Sequence, residues 1–129
     1  MPNRLIAAAL AAAALAILPH AALAADAANG ERLFKAKCAL CHETSAGKHK
    51  VGPSLFGVVG RKAGGAEGFK LYRGLKDASW TWDETSLDAY LNDPVKYTKD
   101  HTGKSPGMVL KTPSAAERAD IIAFLKTLK

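Results

Sequence analysis

"KCALCHE", residues 37–43, holds the only two cysteines of the 129-residue chain, Cys38 and Cys41, with His42 directly after the second. Four chemistries compete for such a pair. A plain disulfide closes a tiny loop and leaves His42 without a role. A thiol–disulfide oxidoreductase motif needs a strand-to-helix junction in a βαβ setting, and no strands of that kind can be read here. A structural zinc site wants four ligands, as a rule in two clusters; the downstream histidines, His49 and His101, form no second cluster. The fourth is covalent attachment of a c-type haem, whose signature is C-x-x-C-H. Residues at i and i+3 of a helical turn project to one side, so thiols at this spacing reach the two vinyl groups of one porphyrin. The adjacent histidine then lies under the iron as proximal ligand. The haem reading gives all three residues a role.

Upstream, residues 1–24 read as a secretory signal peptide. Arg4 precedes the uncharged run "LIAAALAAAALAIL" (residues 5–18), Pro19 breaks it, and small residues at Ala22 and Ala24 fit a signal peptidase. The run is shorter than the ~20 residues that cross a bilayer, which argues against an uncleaved anchor. The expected organisation is a leader over 1–24 and one monohaem domain over 25–129, exported to the periplasm. The chain carries 18 Lys and Arg against 12 Asp and Glu, a formal charge of +6. Cleavage removes only Arg4 of the charged residues, so the domain stays basic. That balance selects an acidic protein surface or an anionic membrane as partner. An exported chain with no interleaving of aromatic and basic residues argues against nucleic acid.

Downstream, the pattern is all-α. Asp26 caps a first helix through "AANGERLFKAKCAL". Residues 43–68 read as glycine-rich loop. "DETSLDAYLNDP" (residues 83–94) reads as a helix capped by Asp83 or Thr85, with Leu87, Tyr90 and Leu91 on one face and Pro94 as its stop. "VKYTKDHTGKSPGMVLKTP" (residues 95–113) reads again as loop. Ser114 and Glu117 spell a capping box, and Ile121, Phe124, Leu125 and Leu128 follow at helical spacing. Loops this long are uncommon in a compact domain unless they serve a function. The polypeptide alone is underfilled, and a cofactor is expected at its centre.

An electron-shuttling haem iron commonly has both axial positions filled, and His/Met is one such pairing. A neutral thioether is a soft donor and favours the ferrous ion. Apart from Met1 the chain has one methionine, Met108, in "KSPGMVLKTP", which is no apolar helical stripe. His101, seven residues earlier, is its rival; Lys99 and Lys104 qualify only when deprotonated. His49 reads as a solvated surface residue.

With these residues in hand, the sequence resembles the class I cytochromes c, above all the bacterial cytochrome c2 and mitochondrial cytochrome c group. "NGERLFKAKCALCHE" looks like that family's first helix and haem site, and "GPSLFGVVGRKAG" like its second loop. "WDETSLDAYLNDPVKY" and "ERADIIAFLKTLK" look like its third and last helices. The resemblance implies a small cytochrome c fold in which first and last helices cross, Gly30 and Phe34 meeting Ile121 and Phe124, with long loops around one covalent haem c. It implies that the Pro53 carbonyl orients His42, and that Arg61, Trp82 and Tyr72 bind a haem propionate, although the Tyr72–Trp82 spacing is one residue short of the family pattern. It implies a soluble, monomeric electron carrier, not an enzyme. Its partners would be acidic redox surfaces such as a quinol-oxidising complex, a terminal oxidase or a reaction centre, with only peripheral membrane contact. Lys37 would lie near the exposed porphyrin edge, and Lys35, Lys48, Lys50, Lys96 and Lys111 could extend a positive docking face. The alternative is a haem subunit or dedicated partner of a periplasmic dehydrogenase or sulfur-oxidising enzyme. The chain departs from the mitochondrial pattern at Phe56 and Leu110, in the direct Pro106–Gly107–Met108 run, and in a segment from Tyr97 to Met108 about five residues longer.

Overall fold

The computed structural model describes residues 24–129; the expected signal peptide falls almost wholly on residues 1–23 and lies outside the described residues. The first helix, α1 (Ala27–Lys37), begins where Asp26 turns its carboxylate back to accept from the N–H groups of Ala28 and Asn29 at 2.9 and 3.1 Å. Those are two of the donors that a helix start otherwise leaves unsatisfied. The helix ends earlier than the sequence suggested. Beyond Lys37 the chain tightens into a turn in which the N–H groups of Cys41 and His42 both donate to the Cys38 carbonyl.

The element expected over residues 83–94 is α2 (Glu84–Asn92). Asp83 is its cap: its carboxylate accepts from the Ser86 N–H while the Ser86 hydroxyl accepts from the Asp83 N–H. Leu87, Tyr90 and Leu91 are buried along it. The sequence reading fails at the next step. Residues 95–102 are not loop but part of α3 (Pro94–Thr102), and Pro94 does not simply stop a helix; it starts the next one. Proline fits a first helical position because its missing N–H would be unsatisfied there anyway. Asp93 caps α3 by accepting from the Lys96 N–H, and Gly103, at φ 72°, closes it in the left-handed conformation. Most of the extra length before Met108 is therefore helix.

The last helix, α4 (Ala115–Leu125), starts at Ser114, whose hydroxyl accepts from the Glu117 N–H. The second half of the expected capping box does not form; the Glu117 carboxylate pairs with Lys37 of α1 at 2.6 Å. α1 and α4 cross at Gly30, where a Cβ would lie 1.9 Å from the Asp120 carbonyl oxygen. Phe34 and Phe124 pack there with ring centroids 5.4 Å apart, and Ile121 is almost fully enclosed. The Asp120 carboxylate ties the crossing by accepting from the Asp26 N–H and the Asn29 amide. Buried Arg118 joins α4 to α2 and to the segment after Met108. It donates to Asp88 and Asn92 and to the carbonyls of Thr112 and Pro113. Among the described residues no helix is long and apolar enough to cross a membrane.

Candidate cofactor site

The helices leave a cavity of about 690 Å³ between them and the loops, inside the ~300–1,000 Å³ range of small-molecule and cofactor sites. Cys38, Cys41 and His42 line it from the turn after α1, Arg61 and Trp82 from the loops, Tyr90 from α2, and Met108 from the segment before α4. Phe34, Val58, Leu75, Leu91, Ile121 and Leu125 supply much of the apolar wall. Residues 70 positions apart in sequence thus share one cavity, which neither helical periodicity nor local motif encodes.

The two thiols are free and half-buried. Burial pushes the Cys38 thiol above its ordinary value, against the pull of the neighbouring Lys37 charge. The His42 Nδ1–H donates to the Pro53 carbonyl at 2.7 Å. That bond fixes the ring and leaves the Nε2 lone pair as the free donor. Burial holds the His42 pKa below its usual value, the Pro53 bond opposes this, and the Arg61 charge adds to the lowering. Gly52 makes room for the ring: a Cβ there would come within 2.3 Å of Cε1.

Arg61 and Trp82 are joined backbone to backbone. The Trp82 N–H donates to the Arg61 carbonyl at 2.9 Å, and an isolated antiparallel bridge links Lys62 with Thr81 beside them. The Arg61 Nη1 donates to the carbonyls of Ser54 and Phe56. Its Nε is buried with no partner in the protein, and burial lowers its pKa. Tyr72 lines the same cavity, its hydroxyl oxygen accepting from the Ala66 N–H at 2.9 Å. Tyr90, which the sequence marked only as an apolar face, presents a buried ring whose phenol is pushed up by desolvation.

His101, the rival to Met108, and His49, expected as a solvated surface residue, are both held in local contacts. His101 does not line the cavity. It stacks on Tyr97 with centroids 3.9 Å apart, donates from Nδ1 to the Tyr97 carbonyl, and meets Trp80 with centroids 5.3 Å apart. His49 is not a free surface side chain. Its Nδ1 accepts from the Ser54 N–H and its Nε2–H donates to the Glu67 carbonyl, so one imidazole ties two loops together. The lysines expected to form a docking face are mostly paired locally: Lys35 with Glu31, Lys50 with Glu43, Lys96 with Asp100 and Lys111 with Asp93. Such exposed pairs contribute about 0–1 kcal/mol each, but each one cancels a positive charge at short range.

The family model for cytochrome c matches residues 27–129. The chain belongs to the cytochrome c family. It is 46% identical over 104 residues to cytochrome c of Chlamydomonas reinhardtii, covering 80% of this chain and 89% of that one. It is 39% identical over 113 residues to cytochrome c2 of Pararhodospirillum photometricum, with 82% and 100% covered. The solved structure of cytochrome c2 from Rhodospirillum centenum superposes with a TM-score of 0.72 at 36% identity, covering 80% of this chain and 98% of that chain. Cytochrome c proteins carry one covalently attached haem c, and this chain is a small haem electron-transfer protein with the all-α cytochrome c fold. The cavity fits that group on its own evidence. Its walls are mostly apolar, it holds two free thiols, an imidazole and a thioether, and the orphaned Arg61 Nε calls for an acceptor that the protein does not supply. A buried polar group without a partner costs about 1–3 kcal/mol, which a carboxylate of the bound group would relieve.

Proposed function

We propose that the chain is an exported, periplasmic one-electron carrier whose haem c is held through Cys38 and Cys41, with His42 and Met108 as the axial ligands of the iron. The observation that carries this reading is the single cavity gathering Cys38, Cys41, His42 and Met108 while His101 stays outside it. The bound group supplies a one-electron iron couple. The chain's part is to keep the surroundings of that couple unchanged between its two states. Pro53 holds the His42 ring through Nδ1, the arrangement that orients metal-bound histidines generally. The Met108 segment is anchored just beyond the methionine, where the Thr112 N–H donates to the Leu91 carbonyl and Arg118 grips the carbonyls of Thr112 and Pro113. Arg61 and Trp82, with Tyr72 on the same cavity wall, would bind a carboxylate of the group. Tyr90, Leu91 and Ile121 exclude water from the interior.

Residues 1–24 are the leader that sends the domain to the periplasm. The partners are acidic redox surfaces such as a quinol-oxidising complex, an oxidase or a reaction centre. With four of the lysines expected at the docking face paired locally, attraction rests on the overall charge, +6 for the whole chain and +5 once the leader with Arg4 is removed, and is screened over about 10 Å at 0.1 M salt. The test is a potentiometric titration of the protein purified from the periplasm, with electron exchange against an acidic redox protein followed as salt rises. A single one-electron wave and a rate that falls with ionic strength are expected. A protein retained in the cytoplasm, or one that passes no electrons to any such partner, contradicts the reading.

A further inference from the structure

The cavity lining includes two arginines, Arg61 and Arg73, and no aspartate or glutamate. Arg61 is committed to two backbone carbonyls. Arg73 forms neither a hydrogen bond nor an ion pair among the described residues, whereas many of the surface lysines have found a carboxylate. The Arg73 stem runs beside Gly107, its Cβ, Cγ and Cδ lying 3.8–4.0 Å from where a Cβ on Gly107 would stand. Next to it, the Gly74 backbone packs so close to the Ser105 carbonyl that a Cβ would come within 2.7 Å. Residues 73–74 and 105–107 are therefore one packed unit, and Met108 follows directly.

We propose that Arg73 is a second positioning residue of the site: its guanidinium pairs with a carboxylate of the bound haem while its stem holds down the segment carrying Met108. A cavity lined by two arginines and no acid suits a ligand bearing acid groups, and a forked guanidinium takes a carboxylate in bidentate fashion. The pair has two consequences. It keeps that carboxylate ionised, because an adjacent cation favours the charged form. It also offsets part of the carboxylate's negative field, which otherwise stabilises the oxidised iron, and so favours the reduced state.

The inference rests on the haem reading proposed above, and the test separates the two. Wild type and the R73Q and R73K variants are purified with haem attached, and reduction potentials are measured from about pH 5 to pH 8, where a carboxyl freed of its cation titrates. Arg73 is exposed, so R73Q is expected to fold, as a matching helical spectrum checks. In R73Q the ratio of oxidised to reduced protein at fixed potential rises roughly tenfold at the upper end of that range, a fall of about 59 mV for a one-electron couple. The shift shrinks toward the lower end as the freed carboxyl takes up a proton, whereas wild type stays flat. R73K retains the charge without the fork and lies between. A potential for R73Q equal to wild type at every pH overturns the inference, including the case in which only the salt-dependent rate with an acidic partner changes, since Arg73 is then a steering charge. Absence of haem bands from wild type overturns the haem reading and this inference with it.

Discussion

Gly52→Ala places one methyl group against the His42 imidazole. The φ of Gly52 lies outside the left-handed region, so the effect is steric, and its N–H is tied to the Cys41 carbonyl at 2.8 Å. The new Cβ would lie 2.3 Å from Cε1, 2.7 Å from Nδ1 and 2.9 Å from Nε2 of His42. Carbon atoms settle at about 3.5–4.0 Å, so the ring must retreat by more than about 1 Å. Its Nδ1 is 2.7 Å from the carbonyl of Pro53, the very next residue. A retreat of that size carries the bond past any useful length. Overpacking costs about 1–3 kcal/mol, and stranding a buried donor costs about 1–3 more. The stiffer unfolded chain returns roughly 0.4–1 kcal/mol. The net expectation is a loss of about 3 kcal/mol. Guanidinium unfolding of the haem-loaded protein, followed by helical circular dichroism, should show a lowered midpoint at unchanged slope. Thermal unfolding should fall by about 12–24 °C for a domain near 100 residues. A variant whose stability lies within about 0.5 kcal/mol of wild type would refute the reasoning, because its His42 ring cannot then stand where the structure places it.

Gly30→Ala drives a Cβ into the Asp120 carbonyl, a backbone atom that cannot swing aside; a loss of about 2 kcal/mol is expected after the helix-propensity gain of about 1, and calorimetry showing a stabilised variant would contradict it. Asp120 is held below the usual carboxyl pKa by the Asp26 N–H first and the Asn29 amide second. Its contribution is therefore present above the unfolded-state value and lost as pH falls through the folded one, below about pH 4. Asp120→Asn should flatten the acid limb of a stability–pH profile, and an unchanged limb would remove Asp120 from it. The double variant Cys38→Ala, Cys41→Ala, exported normally, should be largely unfolded, since nothing else fills the central cavity; a helical spectrum of native strength would show the polypeptide folds without the group.

The two ends of the fold were legible because their signals are local. Asp26 and Ser114 cap their helices from within one turn, and the apolar positions of α4 repeat at helical spacing. Cys38, Cys41 and His42 reach the cavity wall together for the same reason, lying within five residues of one another. α3 was not, since Asp93–Pro94 closes one helix and opens the next, and proline reads as a stop when only the first half of that role is considered. The fate of Glu117 was hidden too: its tie to Lys37 depends on where α1 lies, which no capping rule contains. Resemblance named Arg61, Trp82 and Tyr72, and the structure brings all three to the cavity, yet it gave no hint that His49 bridges two loops. Arg73 carries no signal in its neighbourhood at all; only the packing of residues 73–74 on 105–107 brings it to the cavity.

In the proposed function, sulfur from Met108 reaches the iron in a cavity where His42 supplies the other ligand. The optical spectrum of the purified protein, oxidised and then reduced, tests this most directly, with Met108→Leu as control. Haem bands are expected in both states and, in the oxidised protein, the weak long-wavelength band of a sulfur–iron bond, absent from the variant. Haem bands without that feature in wild type, or a feature that survives in Met108→Leu, would contradict it.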